Sequence, residues 1–137
     1  MKPIRIWMQD EQGIGRWSKN GDGNFDRCAI TNLTTAGAGT ILAALLNTGI
    51  IFRTGPTGAV ADTVDTGANM DAAFPNLVVG DALRVKYINN VAFALTITAA
   101  TGITLKTAAA LNAIAASTCR ELFFIKTGVA TYDLYVM

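Results

Sequence analysis

The feature that most constrains the fold is a period-two alternation of apolar and polar residues across positions 81–105. Large apolar side chains occupy every second position in two runs, Leu83, Val85 and Tyr87 followed by Phe93, Leu95 and Ile97. Successive side chains of a β-strand point to opposite faces, so each run predicts a strand with one buried face. The chain is therefore predicted to be a β protein.

The length of the loop between the two runs decides which residues would pair. A two-residue loop at Asn89 and Asn90 would place Lys86 opposite Phe93 and mix the two faces. A three-residue loop that also includes Val91 keeps the apolar faces together. It pairs Tyr87 with Phe93, Val85 with Leu95, and Leu83 with Ile97. Because strand register follows the matching of apolar faces, the sequence predicts a β-hairpin with the three-residue loop.

Glycine and proline divide the rest of the chain into short extended segments. Residues 56–81 form the longest irregular region, in which Thr66 is predicted to cap a short helix over residues 67–74 that Pro75 ends. Residues 41–46 suit a helix or a strand, and a strand is predicted because so short a helix would be unstable. Further strands are predicted at residues 2–8, 25–33, 49–55 and 103–106, with a closing hairpin at 120–126 and 131–137 whose last strand lies inside the sheet.

These elements predict an all-β fold, a single-domain, jelly-roll-like β-sandwich of about eight short strands with one short helix. A small open barrel is the alternative architecture. The chain has 137 residues, enough for one domain with a sizeable core. Residues 1–24 are predicted to be an extended arm or the first edge strand, and residues 25–137 the sandwich domain.

Charge and hydropathy exclude several classes of partner. The net charge is +1 and no basic run occurs, so no nucleic-acid partner is expected. No apolar stretch approaches the roughly 20 residues that span a bilayer, and Asp10 and Glu11 come too early for a signal-peptide core. Charged residues make up only 15% of the chain, which leaves two interpretations of the surface: it is covered by another protein, or it is rich in threonine.

Histidine, a residue type on which much enzyme chemistry depends, is missing from the sequence. The chain contains no histidine, which excludes Ser-His-Asp and Cys-His nucleophile activation and removes the commonest zinc ligand. Its two cysteines, Cys28 and Cys119, are far apart and are predicted to be buried thiols rather than a disulfide. We therefore predict that the chain is not an enzyme and holds no cofactor or metal.

Three polar patterns in the sequence resemble metal-binding, phosphate-binding or catalytic sites. Asn20, Asp22, Asn24 and Asp26 resemble the first ligands of a calcium loop, but Phe25 stands where that loop needs glycine, and an ordinary turn is favoured. The glycines of residues 37–39 lack the lysine of a phosphate-binding loop, so a simple loop is predicted. Four carboxylates could in principle form a glycosidase pair: Asp62, Asp65, Asp71 and Asp81.

Glycosidase catalysis needs two carboxyl groups held roughly 5–9 Å apart across a cleft. The sequence gives no such placement. Asp62 and Asp65 are instead predicted to lie in a solvated loop.

Two long segments carry a family resemblance. Residues 80–105, GDALRVKYINNVAFALTITAATGITL, and residues 117–136, STCRELFFIKTGVATYDLYV, resemble the strand, threonine-rich strand and aromatic closing hairpin of small structural proteins of tailed bacteriophages. Residues 49–76 are similar to the turn and short helix that precede them in that family. The resemblance covers roughly residues 35–137, and its motifs are structural rather than catalytic.

The resemblance implies a capsid cement (decoration) protein of the jelly-roll type. Such a protein binds the exterior of the phage head, bridges neighbouring major capsid subunits and assembles as a homodimer or homotrimer. It would be made in the cytoplasm of the bacterial host and would act without catalysis.

Large apolar side chains at the N-terminus are the predicted contacts with the capsid or a neighbouring subunit, because such groups dominate interface energetics. These residues are Ile4, Ile6, Trp7, Met8 and Trp17. The alternative is that they pack in the protein's own core.

A rival function is the receptor- or carbohydrate-binding head of a phage fibre or spike. Sugar binding would need exposed aromatic side chains beside Asp or Asn on a concave face. The three tyrosines, Tyr87, Tyr132 and Tyr135, are instead predicted to be used for packing within strands.

Overall fold

The computed structural model describes residues 29–137 in full and, before them, the backbone of residues 6–9 and 15–18. Strands β1 (Ile6–Gln9) and β2 (Gly15–Ser18) pair antiparallel, with Trp7 opposite Trp17. They form a two-stranded ribbon of their own, which belongs to neither of the larger sheets.

Ten further strands form two sheets of four and six strands. In chain order they are β3 (Ala29–Leu33), β4 (Thr40–Ile41), β5 (Gly49–Arg53), β6 (Val60–Val64), β7 (Ala82–Asn89), β8 (Leu95–Thr98), β9 (Ile103–Leu105), β10 (Ala113–Ile114), β11 (Cys119–Gly128) and β12 (Thr131–Val136). The six-stranded sheet has the order β3-β5-β7-β11-β12-β9 and the four-stranded sheet the order β10-β8-β6-β4. The predicted all-β sandwich is confirmed.

Both sheets are mixed, which the sequence did not predict. Strands β3, β5 and β7 run parallel to one another, as do β4, β6 and β8, and β9 runs parallel to β12. Strand β11 is antiparallel to both of its neighbours, β7 and β12. The closing hairpin of β11 and β12 is confirmed, and β12 lies inside the sheet between β11 and β9, as predicted.

The predicted hairpin between residues 83 and 97 is wrong. Its two strands exist and bury the expected residues except Phe93, which precedes β8 and is 40% exposed. However, β7 belongs to the six-stranded sheet and β8 to the four-stranded sheet. Both strands point their apolar side chains into the space between the sheets. Matching of apolar faces is therefore satisfied by a crossing between sheets as well as by a hairpin, and it cannot distinguish them.

The buried side chain of Asn89 holds the crossing between β7 and β8 in place. Its Nδ2 atom donates to the carbonyl oxygens of Phe93 at 2.7 Å, Ile114 at 3.0 Å and Ala115 at 3.0 Å. Its Oδ1 atom accepts from the Val91 amide at 3.1 Å. Asn89, which was predicted to be part of a turn, thus provides hydrogen-bond partners for backbone groups of this loop and of the end of β10. Buried backbone groups require such partners.

Two short segments also differ from the prediction. The strand expected at residues 41–46 is a 3-10 helix, Ala43–Asn47, which buries Ala43 and Leu46. The region predicted to be irregular contains β6, whose apolar alternation is hidden because Asp62 occupies an inward position. The short helix is confirmed as α1 (Gly67–Ala73), where the Thr66 hydroxyl accepts from the Asn69 amide at 3.2 Å.

The core fills the space between the two sheets, with α1 and the first 3-10 helix at its margin. Tyr87, Tyr132 and Phe124 are its largest aromatic members from the six-stranded sheet. The four-stranded sheet contributes Leu95 and Ile97. Within the described residues, no helix is long and apolar enough to cross a membrane.

Candidate interaction surface

The most deeply buried charges of the sandwich form one ion pair between the sheets. Arg53 on β5 and Asp62 on β6 are both 0% exposed. The Arg53 Nε atom donates to Asp62 Oδ2 at 2.7 Å and Nη2 donates to Oδ1 at 3.1 Å, a bidentate pair. Tyr87 on β7 donates its hydroxyl proton to the same carboxylate. Burial, followed by the hydrogen bond to Asp62, raises the pKa of Tyr87 and keeps its hydroxyl protonated.

The same guanidinium closes the loop between β3 and β4. It donates to three backbone carbonyl oxygens, those of Leu33 at 3.1 Å, Thr35 at 2.5 Å and Gly37 at 2.5 Å. The Gly39 amide completes the arrangement by donating to Asp62 Oδ1 at 2.7 Å. All five N–H groups of Arg53 are therefore used, and the predicted simple loop at residues 37–39 is confirmed.

A second carboxylate, Asp71, ties α1 to the closing hairpin. Its Oδ1 atom accepts from Lys126 Nζ at 2.7 Å and from the Tyr132 hydroxyl at 2.6 Å, and its Oδ2 atom accepts from the Ala130 amide at 2.8 Å. These hydrogen bonds, led by that of Lys126, lower the pKa of Asp71 to about 2. Burial, followed by the hydrogen bond to Asp71, raises the pKa of Tyr132.

The two remaining carboxylates also support local structure. Asp65 accepts from the Ala43 amide at 2.9 Å, the Thr66 amide at 2.8 Å and Asn69 Nδ2 at 2.6 Å. Burial acts to raise the pKa of Asp65, but these hydrogen bonds outweigh it and the pKa is lowered. Asp81 accepts from the Val78 amide at 2.9 Å.

The prediction that Asp62 and Asp65 lie in a solvated loop is wrong, because they are only 0% and 8% exposed. The physical reason is that each carboxylate has several donors within the fold, which compensate for the loss of water. The four carboxylates weighed as a catalytic pair are thus all hydrogen-bonded inside the chain.

Outward-pointing residues of the six-stranded sheet form the most apolar surface of the sandwich. Residues in register on neighbouring strands share a face, so the side chains that alternate with the core residues can be assigned directly. We call this surface the outer face and define it by its large apolar members: Ile30, Ile50, Phe52, Ile88, Phe123, Ile125 and Tyr135. Ile30 is 59% exposed, and the other six side chains are partly exposed.

Charged residues are interspersed with the apolar residues of the outer face. Arg84 and Lys86 lie on β7, Glu121 on β11 and Asp133 on β12. The Arg84 guanidinium stacks over the Phe123 ring at 4.6 Å from its centroid, and Phe123 and Tyr135 have ring centroids 6.4 Å apart. Arg84 also reaches Glu121 at 3.5 Å, in an exposed ion pair of small energetic value.

The exposed face of the four-stranded sheet has a different composition. Thr40, Thr63 and Thr98 lie in register across β4, β6 and β8, and the hydroxyls of Thr63 and Thr98 are 2.9 Å apart. Ala61, Thr96 and Ala113 form the neighbouring row. The predicted threonine-rich exterior therefore describes this sheet, whereas the outer face of the other sheet is apolar.

The predicted contact residues are only partly placed. Ile6, Trp7 and Met8 lie on β1 and Trp17 on β2, where the backbone register sets Trp7 opposite Trp17. Ile4 lies outside the described residues, as do the polar set Asn20, Asp22, Asn24 and Asp26 and the first cysteine, Cys28. The outer face was not found from the sequence, although period-two patterns with apolar residues on both faces, as in IIF at 50–52 and LFFI at 122–125, were a signal for it.

Two further predictions about side chains are corrected. Cys119 is exposed rather than buried, because it begins β11 next to Ile88 on the outer face. Tyr87 and Tyr132 are buried as predicted, but Tyr135 points outward beside Phe123. An outward tyrosine on a strand is typical of a surface used in recognition.

In the part of the chain that the structure describes, no group of three or more Cys, Asp or Glu side chains could hold a metal ion. The features that the described residues do form are internal hydrogen-bonded cross-links and two exposed sheet faces of different composition. Comparison of the chain with protein-family models, with curated protein sequences and with solved structures finds no match.

Proposed function

We propose that this chain is a structural virion protein, a cement protein that binds the exterior of a tailed-phage capsid and bridges neighbouring major capsid subunits. It acts as a homo-oligomer and without catalysing a reaction. The family resemblance of residues 35–137 supports this function, and so do features of the folded chain.

The observation that carries the proposal is the two-stranded ribbon of β1 and β2. It belongs to neither sheet of the sandwich, and its register places two tryptophans opposite each other. An isolated two-stranded ribbon is only marginally stable in water, so it needs a surface to pack against. Tryptophan is among the residues that contribute most to binding at protein interfaces. We therefore assign the capsid contact to the ribbon, at Ile6, Trp7, Met8 and Trp17, and to Ile4 just before it in the sequence.

The internal cross-links support a passive, structural role. The buried Arg53–Asp62 pair joins the two sheets, and Asp71 joins α1 to the closing hairpin. These groups are engaged within the fold, which favours a scaffold over a catalytic centre. Stabilisation of the head then follows by mass action, because a ligand that binds only the assembled shell favours that shell. Each copy would bury about 1,000 Å² or more.

The first test is co-sedimentation of the purified protein with matching capsids that lack it. We expect stoichiometric binding and heads that survive heating or chelation better than bare heads. Heads already saturated with the protein are the control and should take up no more. Protein that stays in the supernatant would contradict the proposal.

A second test removes residues 1–18. We expect the shortened chain to keep its unfolding transition, because the described core begins at Ile41, and to lose binding to the heads. A full-length chain with Trp7→Ser and Trp17→Ser should behave in the same way. If the shortened chain is unfolded, the ribbon is part of the protein's own core and the arm proposal fails.

One observation favours the rival function, a carbohydrate-binding head. Tyr135 and Phe123 are outward aromatic side chains, and Asp133 lies two residues from Tyr135 on the same face of β12. Aromatic rings beside a carboxylate suit a sugar. If the protein does not bind heads, a glycan array is the next measurement, and binding that is lost in Tyr135→Ala would establish the rival function.

A further inference from the structure

The outer face is large enough to be an interface. Its six strands, about 4.8 Å apart, make it about 24 Å wide, and the positions from Ala82 to Ile88 extend about 20 Å along the strands. A flat surface of that size can supply much of the roughly 800 Å² that each partner buries in a standard interface. With seven large apolar side chains it is also more apolar than the threonine-rich face on the other sheet, which is the solvated surface that a sandwich usually presents.

The charges of the outer face are arranged so that the surface is complementary to itself. The cations Arg84 and Lys86 both lie on β7, whereas the carboxylate Glu121 lies on β11; Asp133 on β12 is paired with Lys106 of the same chain at 3.6 Å. Lys86 and Glu121 are in register across the boundary between β7 and β11. The apolar residues lie on both sides of that boundary, on β3, β5 and β7 and on β11 and β12.

A twofold axis parallel to the strands, just outside the outer face and over the boundary between β7 and β11, brings the outer faces of two copies together. It places β7 of each copy over β11 of the other, so that Lys86 meets Glu121 of its partner copy at the same level. It also places β5 over β12, so that Ile50 lies at the level of Met137 of the partner copy, the residue after β12. Sheets that pack face to face in this way keep their strands within about 30° of each other.

We propose that the outer face binds a second copy of this chain and forms a twofold dimer. The inference rests on the proposed function for its homo-oligomer, and it selects the dimer over the trimer. A contact in which one face meets the same face of a partner closes at two copies and cannot generate a ring of three. No capsid is needed for this contact, so it is tested on the free protein.

The experiment is sedimentation equilibrium of the full-length protein with and without charge introduced on the outer face. We expect the unaltered protein to be a dimer. Phe52→Glu and Ile30→Glu should each raise the dimer dissociation constant roughly tenfold or more, because each places a carboxylate beside apolar residues of the outer face: Phe52 is in register with Ile88, and Ile30 with Ile50. Ile30 lies on the edge strand and is 59% exposed, so its replacement leaves the fold intact. Thr96→Glu, on the exposed face of the other sheet, is the matched control and should remain dimeric.

Charge reversal tests the register of the two copies. Lys86→Glu alone and Glu121→Lys alone each place like charges across the interface, and each should weaken the dimer. The double variant restores opposite charges in every pair, and it should return the dissociation constant towards that of the unaltered protein.

Three outcomes would overturn the proposal. The first is an unaltered protein that sediments as a monomer or a trimer. The second is a dimer that Phe52→Glu and Ile30→Glu leave unchanged. The third is a dimer that is lost when Trp7 and Trp17 are replaced by serine but kept in both outer-face variants, since the ribbon would then join the copies. Failure of head binding with the dimer intact would instead contradict the proposed function alone.

Discussion

At the scale of single residues, Arg53 is the side chain on which most of the sandwich depends. It joins two sheets through Asp62 and fixes three carbonyl groups of the loop between β3 and β4. A buried charge that loses its partner keeps the full cost of its lost hydration. The contribution of the pair is therefore seen most clearly when only one member is removed.

We predict that Arg53→Met lowers the free energy of unfolding by about 3–5 kcal/mol, because Asp62 is left charged and buried. Asp62→Leu should also destabilise, and the double variant should cost clearly less than the sum of the two. It should still be less stable than the unaltered chain, since the carbonyl groups of the loop lose their donor. Urea unfolding at neutral pH measures all three variants.

Lys106→Met is the control for this cycle. Lys106 is also paired with an aspartate, Asp133 at 3.6 Å, but its side chain is 44% exposed. Its replacement should change the free energy of unfolding by no more than about 0.5 kcal/mol. Equal losses from Arg53→Met and Lys106→Met would contradict the central role of the buried pair.

Asp71 should make the stability of the fold depend on pH in the acidic range. Its pKa is lowered to about 2 in the folded chain, from an ordinary value of 3.8. The folded state therefore binds this proton more weakly than the unfolded state does. Ionised Asp71 stabilises the fold above pH 3.8, and that stabilisation is lost as the pH falls towards about 2.

We predict that Asp71→Asn is less stable than the unaltered chain at neutral pH and that the difference shrinks as the pH falls from about 4 to about 2. Tyr132→Phe removes one of the donors and should give a smaller effect in the same direction. Urea midpoints across this range of pH measure both. A difference that stays constant from neutral pH to pH 2 would show that Asp71 is not the group that titrates.

At the scale of elements, α1 is held against the closing hairpin by close backbone contact. A Cβ atom built on Gly67 or on Gly102 would overlap the carbonyl oxygen of Ala130. Gly67 begins α1, where alanine would ordinarily favour the helix by about 1 kcal/mol. Here the overlap with backbone atoms outweighs that preference, because neither the turn of the hairpin nor the helix can move without disturbing the Asp71 hydrogen bonds.

We therefore predict that Gly67→Ala lowers the free energy of unfolding by about 1–3 kcal/mol, as overpacking does in other cores. Gly58→Ala is the matched control, since a Cβ atom there would have nothing within 4 Å. It should be neutral or stabilise the fold by up to about 1 kcal/mol, because alanine restricts the unfolded chain. Thermal melting distinguishes the two, and a stabilising Gly67→Ala would contradict the close approach.

The elements also show what the sequence could predict. Alternation located β5, β7, β8, β11 and β12, and the threonine cap located α1, because these signals are local. The sheets to which β7 and β8 belong were not predictable in the same way, since both sheets face one core and the same apolar pattern suits a hairpin or a crossing between sheets. Strand β6 was missed because Asp62 interrupts its inward apolar positions.

The buried pair itself left a trace in the sequence. Arg53 follows Ile51 at an inward period-two position of a strand, and Asp62 precedes Val64 at another. Opposite charges at two such positions predict a buried partner for each, because neither could be buried alone. The outer face could not be read so directly, because its residues become one surface only when the strand order is known.

At the scale of the whole molecule, the proposed dimer would carry two ribbons. Two linked binding elements that reach two capsid subunits bind far more tightly than one, because the second contact is made within the same complex. Bridging of neighbouring subunits would then follow from the twofold symmetry of the dimer.

We predict that Phe52→Glu, which leaves the ribbon sequence unchanged, weakens binding to heads by about 10²- to 10⁴-fold because each molecule then presents one ribbon. Thr96→Glu should bind as the unaltered protein does. Titration of labelled protein onto bare heads measures both. Undiminished head binding by monomeric Phe52→Glu would show that one ribbon per molecule suffices.

The cluster of Arg53, Asp62 and Tyr87 has a consequence for the history of such sequences. Replacement of Arg53 or Asp62 alone leaves a buried charge or several carbonyl groups without partners, and replacement of Tyr87 alone takes a hydrogen bond from the buried carboxylate. Each single step away from the cluster therefore lowers stability. Lineages that share this fold should keep the set together or exchange it together. The arginine, aspartate and tyrosine should therefore co-vary across distant relatives, even where the surrounding strands have diverged beyond recognition.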